Sequence, residues 1–374
     1  MNGVLPDFGI DTFNPVSGET SGSVAKMLLT NGMDVGCLRP YLDKKGRACI
    51  TRNVFDPSSG TVKPKKVLVR NDNATLRFLD WIQLDEAIIK AAKPRLRAAA
   101  DLRQAGLVYQ LPNGIAKTVM QFQQQSDITP ATISMDGLRQ GERDRPVFSL
   151  LNFPLPLIHK DFSFPLRQVL ESRTGYSPLD ITTAELAGRR VAEQVEQLTL
   201  GVTSSLLTGN DTYRFGGGTV YGYMNFPNRI TYTITLPTAG GWTPSTTIND
   251  VLMMIKICKQ AFHFGPWMMY CGLNWDPYMD ADYKPTYNSD TLRRRLRMID
   301  GIIDVRTLDY IPDYSLLLVQ QTADVARMVI GLDFTTVQWE TSGGWELNFK
   351  VICLMVPQLR TDINLNTGLV HGNG

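Results

Sequence analysis

The chain is short of the residues on which most catalytic and metal chemistry depends. Its 374 residues include three histidines, His159, His263 and His371, far apart in sequence. No HExxH pair is present and no GxSxG stands beside a strand pattern, so neither a zinc protease nor a nucleophile elbow is indicated. The five cysteines, Cys37, Cys49, Cys258, Cys271 and Cys353, are odd in number and include no CxxC pair. That argues against a disulfide scaffold or zinc ribbon and for a reducing setting. Cys258, His263 and Cys271 do not have the spacing of a tetrahedral zinc site, so the three histidines read as structural. The formal charge is only +2, which excludes a protein whose main work is neutralising phosphates but leaves room for light nucleic-acid contact. No apolar run approaches the eighteen residues of a membrane span. The start, Met1 to Asp7, has neither the basic residues nor the apolar run of a signal peptide.

Other candidate sites also fail on chemistry. Asp276, Asp280 and Asp282 lack the glycine and closing glutamate of a calcium loop, so a surface turn is expected there. Gly216-Gly217-Gly218 is not followed by Gly-Lys-Ser/Thr and reads as a loop, not a phosphate cradle. Nothing selects a catalytic set from the scattered Ser, His and Asp. No enzyme activity, metal or cofactor is expected; a soluble α+β enzyme is the remote alternative.

What is present is a foldable chain, 43% hydrophobic and 20% charged, of a size for two or three domains or one core with insertions. Residues 1–73 read as an extended arm, broken by Pro6, Pro15, Pro40, Pro57 and Pro64. Lys63, Lys65, Lys66 and Arg70 make it locally basic. Such a run is either a solvated or acid-paired face, or a surface turned to nucleic acid. A helical run follows over Asn73–Gly106, and Pro94 should divide it. From Gly114 onward come about sixty residues with strand and turn signals, and the middle of this stretch is too polar to build a core. A lone two-stranded hairpin is marginal in water, so this arm either folds back on its own domain or lies on another subunit. Ser177-Pro178-Leu179-Asp180 can then cap a helix of about 22 residues. Its apolar stripe is Ile181, Ala184, Gly188, Val191, Val195 and Leu198. Strands are expected at 229–236, 267–271, 302–308, 315–320, 335–340 and 346–356, with helices over 247–264 and 289–298. The class is α+β without a βαβ rhythm. The polar tail Thr361–Gly374, like the first 73 residues, should be ordered only where neighbouring subunits hold it.

The order of arm, polar β-arm, long helix, mixed domain and closing strands resembles the HK97-like fold of tailed-phage major capsid proteins and of the related encapsulin shells. Five local strings carry the likeness: Ala98 to Leu107, Leu155 to Phe162, Ala184 to Glu193, Asn225 to Arg229, and Thr336 to Glu340. The resemblance spans roughly residues 74–365. It implies an N-arm over 1–73, a helical segment over 74–112, an extended E-loop over 113–172, and a peripheral domain with its spine helix over 173–224. An axial domain over 225–330 would follow, with 331–374 returning to the peripheral domain and ending in a tail.

It further implies hexamers and pentamers of an icosahedral shell that encloses double-stranded DNA without sequence-specific binding. The shell would be a virion capsid, assembled in the bacterial host cytoplasm, with scaffold, portal and decoration proteins as further partners and no membrane. The alternative within the resemblance is an encapsulin shell around a protein cargo; the long N-arm favours the phage. Met120 and Phe122 would pack down while Gln121 and Gln123 face out or across. Met120, Phe122, Gln123, Arg139, Arg143, Arg145, Lys160 and Asp161 are the candidate subunit contacts. Lys63, Lys65, Lys66, Arg293, Arg294, Arg295 and Arg297 are candidates for a basic inner surface. Some shells of this kind crosslink an E-loop lysine to a neighbour's asparagine. Lys117 and Lys160 are available, but no motif marks the chemistry, so no crosslink is expected. A chain beginning at Met1 implies no cleaved N-terminal scaffolding region.

Overall fold

A computed structural model of the chain describes residues 40–56, 61–68, 76–112, 114–125, 131, 133, 135, 145, 148–174, 181–202, 211–282, 290–312, 314–341, 345–362 and 364–374. Residues 1–39, the cap at 177–180 and the arm tip that holds Arg139 and Arg143 lie outside these. The chain divides into two compact units, one of residues 1–118, 155–196 and 328–356, the other of 119–154, 197–327 and 357–374.

In the first unit a three-stranded antiparallel sheet joins β1 (Tyr41–Leu42), β2 (Ala48–Asp56) and β3 (Thr61–Leu68). Helix α1 (Phe78–Ala92) follows, then a 3-10 turn at Lys93–Arg95 and helix α2 (Ala98–Gln104). Pro94 therefore divides the helical run, as its missing N–H requires. A four-stranded sheet has the order β4 (Val108–Gln110), β14 (Ala326–Thr341), β15 (Glu346–Leu359), β7 (Ile158–Pro165). After a short helix α3 (Leu166–Thr174) comes α4 (Thr182–Leu200), the spine helix. Its predicted stripe is real, for Ala184, Gly188, Val191, Val195 and Leu198 are all buried. Trp81 of α1, Phe162 and Phe164 of β7 and Phe349 of β15 form an aromatic cluster, with Phe162 stacked on Phe349 at 5.2 Å.

Two features of this unit have direct energetic consequences. At Gly188 a Cβ would sit 2.8 Å from Ile88 Cγ2, 3.0 Å from its carbonyl oxygen and 3.1 Å from its Cα, so α1 and α4 cross with backbone nearly touching. One turn before the end of α4 is the buried carboxylate of Glu196. It accepts hydrogen bonds from the N–H groups of Ala98 at 2.6 Å and Ala99 at 3.3 Å, which open α2. Burial pushes its pKa up to about 7 against the pull of those donors, and the Asp101 charge adds to the rise.

In the second unit a five-stranded mixed sheet has the order β10 (Ile230–Thr233), β16 (Leu369–Asn373), β13 (Leu316–Gln320), β11 (Trp267–Gly272), β12 (Ile302–Leu308). Helix α5 (Pro244–Gln260) covers it through Ile248, Val251, Met254, Ile255 and Cys258. A one-turn helix α6 (Asp276–Met279) and a short helix α7 (Leu292–Arg297) close the same core through Met279, Leu292 and Leu296. Strands β5 (Val119–Gln125) and β6 (Phe148–Pro154) form the arm, and β8 (Tyr213–Phe215) and β9 (Gly218–Val220) a small hairpin.

The tail corrects the sequence reading. Strand β16 pairs in parallel with β10 and antiparallel with β13, inside the sheet. Leu369 and Val370 are fully buried and His371 is 8% exposed, its pKa lowered to about 4 by burial and then by Arg229. Its own domain, not a neighbour, orders this tail. The reason is non-local. A five-residue strand that alternates poorly finds two partners fifty or more residues upstream, which composition does not reveal. Strand β14 is also longer than the expected 335–340, because its first half is buried and so lacks the two-residue alternation that marks a half-exposed strand.

Three outcomes follow from these contacts. Replacing a helical glycine by alanine ordinarily gains about 1 kcal/mol, but Gly188→Ala is expected to lose about 1–3 kcal/mol net from the overpacked crossing, read as a lower denaturant midpoint. Deleting Leu369–Gly374 should strand β10 and β13 and abolish the cooperative melt of the second unit. A truncated chain with an unchanged melting temperature would contradict the placement of β16. For Glu196, the folded pKa near 7 lies above the ordinary 4.5, so its contribution is full below about 4.5 and is lost as pH rises through about 7. Glu196→Gln should remove that fall, so the variant gains on the wild type across the window; parallel stability curves would refute it.

Candidate assembly surfaces

The arm has two unlike faces. Antiparallel register pairs Met120 with Phe153, Phe122 with Leu151 and Gln124 with Ser149, and these residues share one face. Gln121 with Asn152 and Gln123 with Leu150 share the other, and Phe148, two residues from Leu150, is on that face too. The first face is anchored in the arm's own unit. Met120 and Phe122 are half-buried and Phe153 is buried, whereas Leu151 on the same face is 41% exposed. The Arg360 guanidinium lies over the Phe122 ring, 6.0 Å from its centroid. Gln124 Nε2 donates to the carbonyl of Asp362 at 2.6 Å. The root is also held by the β8–β9 hairpin: Asn152 Nδ2 donates to the Gly216 carbonyl at 2.8 Å. A Cβ at Gly218 would lie 2.2 Å from the Asn152 carbonyl oxygen, so the triple glycine does more than form a loop; it admits the arm's backbone.

Beyond Asn152 the second face has no such cover among the described residues. Phe148 is 54% exposed and Leu150 60% exposed, two residues apart and so side by side. Farther out, Ile133 and Met135 are almost fully exposed. Covering Phe148 and Leu150 would contribute on the order of 1 kcal/mol each. The sequence reading missed Phe148 and Leu150 as contact residues. The signal was there, because an apolar strand registered against Gln123 and Gln125 has nothing on its own hairpin to bury against.

The remaining sequence candidates fall into three groups. Gln123, Arg145, Lys160 and Asp161 are exposed. Asp161 lies 3.5 Å from both Lys350 Nζ and His159 Nδ1. Arg139 and Arg143 are outside the described residues, as is the side chain of Lys63. The basic helix α7 is largely engaged by its own chain's acids. Arg293 binds Asp276 at 2.6 Å and Asp280 at 2.7 Å. The Thr307 hydroxyl and then Arg293 hold the Asp276 carboxyl below its ordinary pKa. Arg294 pairs with Asp290 at 2.9 Å and Arg297 with Asp304 at 2.6 Å, while Arg295 is half-buried. In the N-terminal sheet Lys65 is exposed and Lys66 pairs with Asp43 at 2.6 Å. The Lys66 ammonium is the chief reason the Asp43 carboxyl falls to about 2.

Among the described residues no cluster of His, Cys, Asp and Glu is arranged to hold a metal, and no helix is long and apolar enough to cross a membrane. An open groove beside α6 is lined by Leu273, Asn274, Asp276, Pro277, Tyr278 and Tyr314. Its one carboxylate, Asp276, is the partner of Arg293 and Thr307.

No curated protein matches the sequence. Among solved structures, the virus-like particle from Pyrococcus furiosus is similar at a TM-score of 0.55 and 14% identity, over 78% of this chain and 99% of that one. The capsid of Myoviridae phage XM1 is similar at a TM-score of 0.55 and 10% identity, over 73% of this chain and 90% of that one. At such identities the likeness concerns the fold, and that fold is the α+β HK97-like one with its β-arm and spine helix. The family model DUF6260, described as a family of unknown function, matches residues 74–372. This chain therefore belongs to the DUF6260 family and is built on the HK97-like fold.

Proposed function

We propose that this chain is a major capsid protein, which assembles into the icosahedral shell around the double-stranded DNA of a tailed phage. The observation that carries the reading is the split arm: one face fixed to its own unit, the other presenting Phe148 and Leu150 to solvent. A monomer gains nothing from that arrangement, whereas a neighbour in a closed array covers it in every copy. The HK97-like fold, shared with the phage XM1 capsid, supports the same conclusion.

In this reading the stretch 113–172 is the E-loop and α4 the spine of the peripheral domain. The five-stranded sheet with α5 is the axial domain, which gathers hexamers and pentamers. The axial domain then takes in β16, so the tail belongs to it and not to the returning strands. The role is structural, not enzymatic, and the shell forms in the host cytoplasm and becomes the virion capsid. Scaffold, portal and decoration proteins are its further partners. An encapsulin shell around a protein cargo is the second reading, supported by the likeness to the Pyrococcus furiosus virus-like particle over 99% of that chain.

Expression of the chain alone, followed by imaging, tests the proposal. Shells, tubes or capsomers are expected; closed shells filled with host protein would favour the second reading. Phe148→Ser with Leu150→Ser should leave the melting temperature nearly unchanged, since both side chains are more than half exposed, yet shift the product to small species. A wild-type chain that stays monomeric at high concentration, or a double variant that assembles as before, would overturn the proposal.

A further inference from the structure

We propose that the end of the five-stranded sheet around Trp267 is a second assembly contact, at which Phe262 and Phe264 of one copy pack against Met298 and Ile303 of another. The inference rests on the shell reading for its occupant, a second copy of this chain. It adds to the arm a contact made by a different surface.

The first sign is where Phe262 stands. Helix α5 ends in a Schellman motif. The His263 N–H donates to the Cys258 carbonyl at 2.9 Å and the Phe262 N–H to the Lys259 carbonyl at 3.1 Å. The position before His263 then takes left-handed backbone, which glycine adopts without steric cost. Here it holds Phe262, at φ 61° and 81% exposed. The choice lowers stability twice, because the backbone is strained and the ring lies in water.

A second backbone irregularity presents Ile303. Strand β12 pairs with β11 first as Ile302 with Trp267 and next as Asp304 with Met268. Ile303 is therefore the extra residue of a bulge, a device that re-aims a side chain. It lies on the outermost strand of the sheet and is more than half exposed, as are Phe264 and Met298. Trp267 brings these residues to one place. A Cβ on Gly265 would lie 2.8 Å from Cε3 of its ring, and one on Gly301 would lie 2.6 Å from Cζ3. Its N–H also donates to the Gly301 carbonyl at 2.7 Å. The loop with Phe262 and Phe264 and the turn with Met298 thus meet at the end of the sheet where β12 carries Ile303. Two departures from regular backbone, each turning a large apolar side chain to solvent at one end of one sheet, serve a contact and not a monomer.

Charge selects the occupant. Lys256 and Lys259 stand exposed on the last turns of α5, and Asp300 stands exposed between Met298 and Ile303. The neighbouring Arg294 and Arg297 are engaged by Asp290 and Asp304. One flank of the apolar patch is therefore basic and the other carries an acid, so a second copy of the same patch complements both.

The test uses the full chain carrying Phe148→Ser and Leu150→Ser, so that the arm does not contribute. Mass photometry reads self-association, and melting is followed in samples diluted to monomer. This background should still form small oligomers at high concentration. Adding Phe262→Gly should raise the melting temperature of the monomer by about 2–4 °C as the strain is relieved. The same change should weaken self-association by about tenfold or more. Lys256→Glu with Lys259→Glu should abolish the oligomers, and Asp300→Lys alone should do the same. Mixing these two variants should restore them, since each mixed contact again joins a basic flank to an acidic one. A background that stays monomeric, a Phe262→Gly chain that melts lower or associates as before, or no restoration on mixing would each overturn the proposal. Wild-type shells beside a monomeric background refute this inference alone. Oligomers that depend on Phe262, from a wild-type chain that never closes a shell, refute the shell reading alone.

Discussion

The structure turns on a hairpin that its own unit covers only in part. Two strands cannot supply both faces of a sheet with cover, and here the cover is divided. Arg360 and Asp362 hold the face of Met120, Phe122 and Gln124, and the β8–β9 turn holds Asn152 at the root of the other face. Phe148 and Leu150 on the opposite face are left to water. Because the anchored face fixes where the arm leaves its unit, the exposed face is presented in a defined direction and not as a loose segment. Defined presentation is what the proposed shell would need, since one geometry must serve every copy.

The two units are stabilised by different means. The first depends on close helix crossing at Gly188, on stacked Phe162 and Phe349, and on a buried carboxylate at the start of α2. The second depends on a mixed sheet whose inner strands, β16, β13 and β11, come from distant parts of the chain. Charge is handled with similar economy. Most described cations of α7 meet acids of their own chain, so the near-neutral total is the outcome of local cancellation in one region and of a surplus in another. A net charge read over a whole chain hides that difference: residues 41–68 alone carry +5 in a chain of +2.

Much of the fold was legible in order and periodicity. The stripe of α4 follows from apolar residues at steps of three and four, and Pro94 divides its helix because it lacks an N–H. The strands at 302–308 and 346–356 announce themselves by composition. The candidate surfaces were only half legible. Met120 and Phe122 stood out as apolar residues in a polar strand, but they proved to be the anchored side of the arm. Phe148 and Leu150 were overlooked because exposure is a property of what lies opposite. The basic helix looked available for the same reason: Asp276 and Asp280 lie more than a dozen residues from Arg293 in sequence. The tail looked unstructured because its partners are elsewhere in the chain.

By itself, then, the sequence determined the long helices and most strands of the two cores, because those choices depend on local spacing, on proline and glycine, and on side-chain polarity within a few residues; it did not announce the β1–β3 sheet, whose segment it reads as an extended arm. The tertiary structure alone decided which face of the arm is free, which arginines are spent on carboxylates, and that the polar tail is an inner strand. Each of these depends on pairing between residues far apart along the chain, and register is fixed only when the whole core closes around it.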